Sequence, residues 1–155
     1  MTSIQSQIDH LERQRELLLR ALQSFSVESF ENRAPNKWSA REHLAHLARH
    51  EEIFVNRIQR ILKEEQPALV SYTAEDDAEW TEWQRLPLGE VEARWITQRS
   101  ALVEMLQEID ADQLRRTGVH STLGELTLME WLDFFLVHEG HHLLSILKLI
   151  RGRTS

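Results

Sequence analysis

Two histidines near the C-terminus have the spacing of a metal-binding pair. His138 and His142 are four residues apart, and on a helix this spacing places both imidazole rings on one side. Two imidazoles so placed can take neighbouring positions around a zinc, nickel or iron ion. Such a pair also arises by chance in a histidine-rich helix, and a lone helical histidine is more often a surface or hydrogen-bonded residue. Two ligands seldom suffice, so a metal site requires a third ligand from another segment.

The third ligand is expected from the other histidine-rich segment, which contains His43, His46 and His50. All three lie on one predicted helix, and His43 and His50 fall nearer the centre of its apolar face than His46 does. The spacing alone therefore does not choose among them. Several histidines on each of two predicted helices nevertheless favour a metal site over a chance arrangement.

The stretch His138-Glu139-Gly140-His141-His142 also matches H-E-x-x-H, the metalloprotease pattern in which the glutamate is a general base. The surrounding sequence argues against a protease. Only 13 residues follow His142, and none of them is an Asp or Glu that could serve as the third ligand. We therefore predict that Glu139 is buried and orients a ligand histidine through a hydrogen bond.

Four amphipathic segments are predicted to position these residues, because their apolar side chains recur every three or four positions. The segments span about residues 3–25, 39–65, 88–109 and 128–151. Four helices that each have one apolar face bury those faces best against one another. The predicted fold class is therefore all-α, a four-helix bundle.

Local signals mark the helix ends and the connections between helices. Ser39 with Glu42 and Thr127 with Glu130 have the spacing of capping boxes, and Thr2 with Gln5 could form another. The 66–87 connection is long for a bundle, and the residues from Thr73 onward predict a short extra helix within it. No strand is predicted, and residues 68–72 and 110–126 are assigned to loops.

Composition limits the classes of protein that need be considered. The chain has 155 residues, of which 41% are hydrophobic and 28% charged, and it contains no cysteine. These values predict one globular domain over residues 1–155, with neither a disulfide framework nor a cysteine nucleophile. The formal net charge of −7 argues against a nucleic-acid partner, because such proteins usually present a basic face.

The chain shows no secretory signal pattern, and its longest apolar runs are far shorter than the ~20 residues that span a bilayer. We therefore expect a cytoplasmic protein without a membrane partner.

Three stretches, taken in order, resemble the DinB superfamily. The segment that opens the second helix is similar to the family's W-S-x-x-E-x-L-x-H-L pattern: Trp38-Ser39-Ala40-Arg41-Glu42-His43-Leu44-Ala45-His46-Leu47. The stretch before the last helix also resembles the family, in Thr117-Gly118-Val119-His120 and Gly124-Glu125-Leu126-Thr127. The last helix contains the H-x-x-x-H pair. The resemblance runs from about residue 5 to residue 150.

The resemblance implies a DinB/YfiT-like bundle with a divalent metal ion, zinc or nickel, at one end. It also implies the ligand set His46, His138 and His142, and it is this implication that selects His46 over His43 and His50. Many members of the family are dimers, so a homodimer is expected. Some relatives are transferases or isomerases that use low-molecular-weight thiols.

Three imidazole ligands leave a coordination position open, which is the arrangement of a catalytic site. The leading hypothesis is activation of a low-molecular-weight thiol for addition to a small electrophile, and the second is metal-dependent hydrolysis. A third is a non-catalytic, stress-related metal-binding protein that interacts with partners. In the enzyme hypotheses Glu42 and Glu139 orient the ligands or relay protons, and Arg99 and His120 bind the small-molecule substrate, Arg99 as an anion clamp. The alternative for these last two is a solvated arginine and a histidine of a surface loop. The sequence does not decide whether the protein is an enzyme.

Overall fold

The computed structural model describes residues 4–154 as four long helices with two short helices and a small sheet. The long helices are α1 (Ile4–Ser24), α2 (Ala40–Lys63), α4 (Leu88–Gln107) and α6 (Leu128–Ile150). The short ones are α3 (Trp80–Arg85) and α5 (Ala111–Leu114). Single 3-10 turns lie at Glu28–Glu31 and Ala74–Asp76. The four-helix bundle and the extra helix in the 66–87 connection are therefore confirmed.

Side chains cap the helices at the predicted places. The Ser39 hydroxyl accepts the N–H of Glu42, and the Glu42 carboxylate accepts the N–H of Ser39 at the start of α2. Thr127 and Glu130 form the same reciprocal pair at the start of α6. These caps fix the first turn of the two helices that contain the histidines. The predicted cap at Thr2 lies outside the described residues.

A three-stranded sheet is present where loops were predicted, and this part of the prediction was wrong. Strand β1 (Ala68–Leu69) pairs in parallel with β2 (Thr117–His120), and β2 pairs antiparallel with β3 (Gly124–Thr127). Strands of two to four residues are too short to show an alternating pattern in sequence. The sheet joins the 66–87 connection to the segment before α6.

Helix α2 packs against both α4 and α6, and α1 packs against α4 and α6. The core consists of two apolar clusters. One includes Leu18, Leu44, Trp95 and Ile146. The other includes Leu11, Ile58, Leu102 and Trp131. Along each long helix, a polar residue separates the positions that enter the two clusters: Gln14, Glu51, Arg99 and Glu139. Within residues 4–154, no helix has the length and hydropathy needed to cross a membrane.

Candidate metal centre

Histidine rings from α2 and α6 converge between the two helices. The ligand nitrogens of His46, His138 and His142 all lie within 4.8 Å of one another. The Nε2 atoms of His46 and His138 are 3.1 Å apart. The structure therefore brings together the three residues that the family resemblance selects.

The other two histidines of α2 belong to the same cluster. The ring of His50 lies 4.2 Å from that of His138, and the ring of His43 lies 5.2 Å from that of His142, measured between centroids. Spacings of three and four residues place all three α2 histidines on the side of the helix that faces α6. This shared face explains why spacing alone could not rank them. His141, by contrast, is exposed.

Aromatic side chains surround the cluster. The ring centroid of Trp38 is 5.0 Å from that of His46 and 5.0 Å from that of Trp80. Tyr72 lies 5.7 Å from His46 on another side. The buried Nδ1 atoms of His46 and His138 have no hydrogen-bond partner among residues 4–154. The Nδ1 side of these two rings is therefore held by packing rather than by hydrogen bonds.

His142 differs, because its Nδ1 lies 2.9 Å from Nδ1 of His43. One of the two nitrogens must donate a proton and the other must accept it, so this contact fixes the orientation of both rings. His43 therefore fills the orienting role that the sequence analysis assigned to carboxylates.

The environment keeps these imidazoles neutral. Burial, with the neighbouring histidines, lowers the pKa of His46 to about 3 and that of His138 to about 4. Burial also lowers the pKa of His43 to about 4 and shifts that of His142 strongly downward. A neutral imidazole is the form that binds a metal ion.

The donor set fits a divalent transition-metal ion. With metal–nitrogen bonds of about 2.0–2.1 Å, two ligand nitrogens lie about 2.9–3.4 Å apart for bond angles between 90° and the tetrahedral value. The separation of 3.1 Å between His46 Nε2 and His138 Nε2 falls within this range. Imidazole nitrogen suits zinc, nickel, copper or iron, whereas calcium and magnesium prefer oxygen ligands.

Within residues 4–154, Glu42 makes no hydrogen bond or ion pair with a histidine of the cluster. Its carboxylate accepts the Ser39 N–H at 3.0 Å and the amide of Gln84 at 2.8 Å, and it pairs with Arg33 at 3.1 Å. The hypothesis that Glu42 orients a ligand or relays a proton therefore needs correction. Its carboxylate caps α2 instead.

Glu139 and Arg99 are partners of each other rather than of the cluster or a substrate. The buried Glu139 carboxylate accepts hydrogen bonds from Arg99 and from Gln14. Arg99 also donates two hydrogen bonds of 2.9 Å to Glu51 and one of 2.7 Å to the carbonyl oxygen of Leu11. Arg99 is 0% exposed, so it is not available as an anion clamp. Burial of Glu139 is as predicted, but its hydrogen bonds do not go to a histidine.

His120, predicted to bind substrate, faces a cavity of about 260 Å³ beside the cluster. His50 and His138 also line this cavity, as do Ser71 and Tyr72. His120 is 7% exposed and lies on β2, which the sequence analysis did not foresee. The structure thus connects His120 to the histidine cluster through a shared space.

The fold is a helical bundle, and a cluster of nitrogen donors lies between two of its helices. The protein therefore belongs to the class of helical bundles with a candidate metal centre. The profile of the DinB superfamily matches residues 10–146. The chain belongs to the DinB superfamily, as the ordered motifs around His46 and His138 indicated.

The solved structures that share the fold include the following two. YfiT from Bacillus subtilis is 22% identical, with a TM-score of 0.84 over 99% of this chain and 92% of that chain. It is described as "a probable metal-dependent hydrolase with an unusual four-helix bundle topology". TT2238, described as a four-helix bundle protein, is 22% identical, with a TM-score of 0.70 over 94% of this chain and 98% of that chain. No curated protein is significantly similar in sequence.

Proposed function

We propose that this protein is a metal-dependent enzyme that activates a low-molecular-weight thiol for addition to a small electrophile. His46, His138 and His142 would hold the divalent ion, zinc or nickel. The observation that carries the proposal is the convergence of three nitrogen donors within 4.8 Å beside a cavity large enough for part of a small molecule. A divalent ion in such a site lowers the pKa of a thiol or a water molecule, so that a nucleophile is available at neutral pH.

The absence of a carboxylate at the cluster favours a thiol over water. Glu42 and Glu139 are bonded elsewhere, and within residues 4–154 no carboxylate oxygen lies within 4.0 Å of a cluster nitrogen. A free thiol ionises near pH 8.5 and bulk water near 15.7, so a thiol needs much the smaller shift and no protein base. The chain has no cysteine, so the thiol must come from the substrate.

Metal-dependent hydrolysis is the second candidate, and His50 is the observation that favours it. His50 is 4% exposed and lines the cavity together with His138. Burial first, and then the neighbouring histidines, lower its pKa well below the usual value, so it is a neutral base at pH 7. It could accept a proton from water in place of a carboxylate. The description of YfiT as a hydrolase agrees with this alternative.

Metal content and turnover together test the proposal. We expect protein purified without an affinity tag to contain the metal, and the His46→Ala, His138→Ala and His142→Ala variants to lose it. The His43→Ala and His50→Ala variants should keep it, as should the exposed control His141→Ala. Retention of the metal by all three ligand variants would overturn the ligand set.

The reaction class is then read from a screen of metal-loaded protein. Small thiols with an electrophile such as monochlorobimane test transfer, and activated esters and amides test hydrolysis. Metal-dependent turnover of the thiols, lost in His142→Ala, supports the leading proposal. If the metal only raises the unfolding temperature and no substrate is turned over, the non-catalytic alternative holds.

The homodimer stays a prediction, supported by apolar side chains on the outer face of α6. Val137 is 72% exposed and Leu144 is 52% exposed, and they are seven residues apart on one side of the helix. Light scattering of the wild type and a Val137→Asp variant tests whether this face joins two copies.

A further inference from the structure

Arg57 is a buried arginine without an anionic partner. It is 6% exposed, and within residues 4–154 no carboxylate oxygen lies within 4.0 Å of its guanidinium. The other arginine of comparable burial, Arg99, is paired with two carboxylates. An unpaired buried charge is expensive, so its presence needs a reason.

Only part of the Arg57 guanidinium is used by the protein. Its Nη2 donates a hydrogen bond of 2.6 Å to the carbonyl oxygen of Val70, and the group lies 5.5 Å from the ring centroid of Trp131. These contacts hold the side chain in one orientation. Its remaining nitrogens make no hydrogen bond among residues 4–154. The residue lines the cavity beside the histidine cluster and also a second cavity of about 380 Å³, where Asp76 and Asp77 lie more than 4.0 Å from its guanidinium.

His120 presents a second donor to the same cavity. Its Nδ1 accepts the backbone N–H groups of Thr122 and Leu123, each at 3.0 Å. A nitrogen that accepts two hydrogen bonds carries no proton, so the hydrogen of the neutral ring is on Nε2. That Nε2–H lies 3.3 Å from the hydroxyl oxygen of Ser71, which also lines the cavity and lies 2.7 Å from the hydroxyl oxygen of Ser121. An entering anion would accept these hydrogen bonds in place of the two serine oxygens.

The other titratable groups of this cavity cannot balance the charge of Arg57. The imidazoles of His50 and His138 are either neutral or cationic and so cannot serve as anions, and the Tyr72 hydroxyl donates its proton to Asp77. A cation and two neutral donors with no protein anion form a site for an anion from outside.

We propose that this cavity binds an anionic group, a carboxylate or a phosphate, of the small-molecule substrate. Arg57 is its counter-ion, and His120 and Ser71 are further donors. The anion would then lie in the same cavity as His138, beside the metal ligands. The assignment of this anion to the substrate rests on the proposed function, whereas the binding of an anion does not require a metal.

Direct binding of simple probes tests the site. We expect malonate or inorganic phosphate to bind the wild-type protein by calorimetry, and uncharged malonamide not to bind. The anion that binds with the higher affinity indicates whether the substrate carries a carboxylate or a phosphate. In spectra of histidine-labelled protein, the ring signals of His120 should shift on binding.

Two substitutions of Arg57 test its role in anion binding. Arg57→Gln removes the charge and Arg57→Lys keeps it without the planar fork, and both should weaken binding by about tenfold or more. Arg60→Gln is the matched control, because Arg60 lies one turn further along α2, pairs with Glu64 and does not line this cavity. If Arg57→Gln unfolds, Arg57→Lys and the exposed-site variant Ser71→Ala give the same information.

The outcomes separate this inference from the proposed function. Anion binding that persists in His142→Ala but is lost in Arg57→Gln supports the anion site, whatever the metal does. Anion binding that is equal in the wild type and both Arg57 variants overturns it, and so does no binding of either anion. Metal-dependent turnover that is insensitive to Arg57→Gln overturns the assignment of the anion to the substrate, while the anion site is judged by the binding measurements alone and the proposed function stands.

Discussion

The histidine cluster and the Glu51–Arg99–Glu139 cluster both contain residues of α2 and α6. They differ in whether their polar groups have hydrogen-bond partners within the protein. The second cluster is closed, because the Arg99 guanidinium is saturated by two carboxylates and a carbonyl oxygen. The first is open, because the Nε2 atoms of His46 and His138 meet only each other among residues 4–154, and the Nδ1 atoms on the other side of the rings have no partner there. Polar groups that satisfy one another hold a bundle together, whereas neutral donors without partners are available to a ligand.

The two buried arginines, Arg57 and Arg99, also differ in whether their charge is paired within the protein. The sequence analysis assigned the role of anion clamp to Arg99, but its partners are within the chain. Arg57 has the backbone carbonyl of Val70 and an aromatic ring as its contacts, and an open cavity in front of it. The lesson is that the availability of a charge, rather than its presence, marks a binding residue.

The largest expected effect comes from breaking the closed cluster. Arg99→Met leaves two carboxylates buried without a counter-ion, and we expect the free energy of unfolding to fall by about 3–5 kcal/mol. Urea denaturation measures this. Arg94→Met is the control on the same helix, because its pair with the exposed Glu90 contributes little and methionine can keep the contact of Arg94 with the Trp83 ring.

Arg99→Met should keep the metal, since Arg99 contacts no cluster histidine. Loss of the metal from a variant that is still folded would contradict the separation of the two clusters.

The open cluster should make the metal-free protein sensitive to acid. An unfolded histidine takes up a proton near pH 6.5, whereas burial keeps His46 neutral in the native state until about pH 3. The native state therefore has its full stability above pH 6.5, and the free energy of unfolding falls as the pH drops below that value. The slope is about 1.4 kcal/mol per pH unit for each such histidine.

Unfolding of metal-free wild type and His46→Ala at pH 7.5 and 5.0 tests this effect. Between these two pH values, the free energy of unfolding should fall less in His46→Ala than in the wild type. The difference should be roughly the contribution of one histidine. Equal losses in both proteins would show that His46 does not contribute to the acid sensitivity.

A smaller effect is expected at His43, which orients a ligand without holding the metal. His43→Ala removes the partner of His142 Nδ1, and we expect metal affinity to weaken by about tenfold. Competition with a chelator measures the affinity, and His141→Ala is the control. Complete loss of the metal would instead make His43 a ligand.

The smallest effect is expected at Glu42. Glu42→Gln should lower the free energy of unfolding by about 1 kcal/mol, because the amide still accepts the Ser39 N–H but the negative charge beside Arg33 and the N-terminus of α2 is lost. Metal content and turnover should not change. A large loss of turnover with the metal retained would restore the proton relay that the structure argues against.

The long helices were predictable because their signals are local. The observed bounds of α2 and α6 lie within two residues of the predicted ones, and the capping boxes at Ser39 and Thr127 mark their starts. The three short strands were missed, since pairing between Ala68 and Val119 is decided by residues far apart in the chain.

The amino-acid sequence by itself determined which residues can do chemistry here: histidines on one face of each of two helices, and no cysteine. It did not determine which partners the charged residues take. Arg99 meets Glu51 and Glu139 while Arg57 meets no carboxylate in residues 4–154, and only the packing of α2, α4 and α6 decides this. The physical reason is that helical periodicity sets the face on which a side chain lies, whereas contact across the bundle depends on the rotation and register of neighbouring helices.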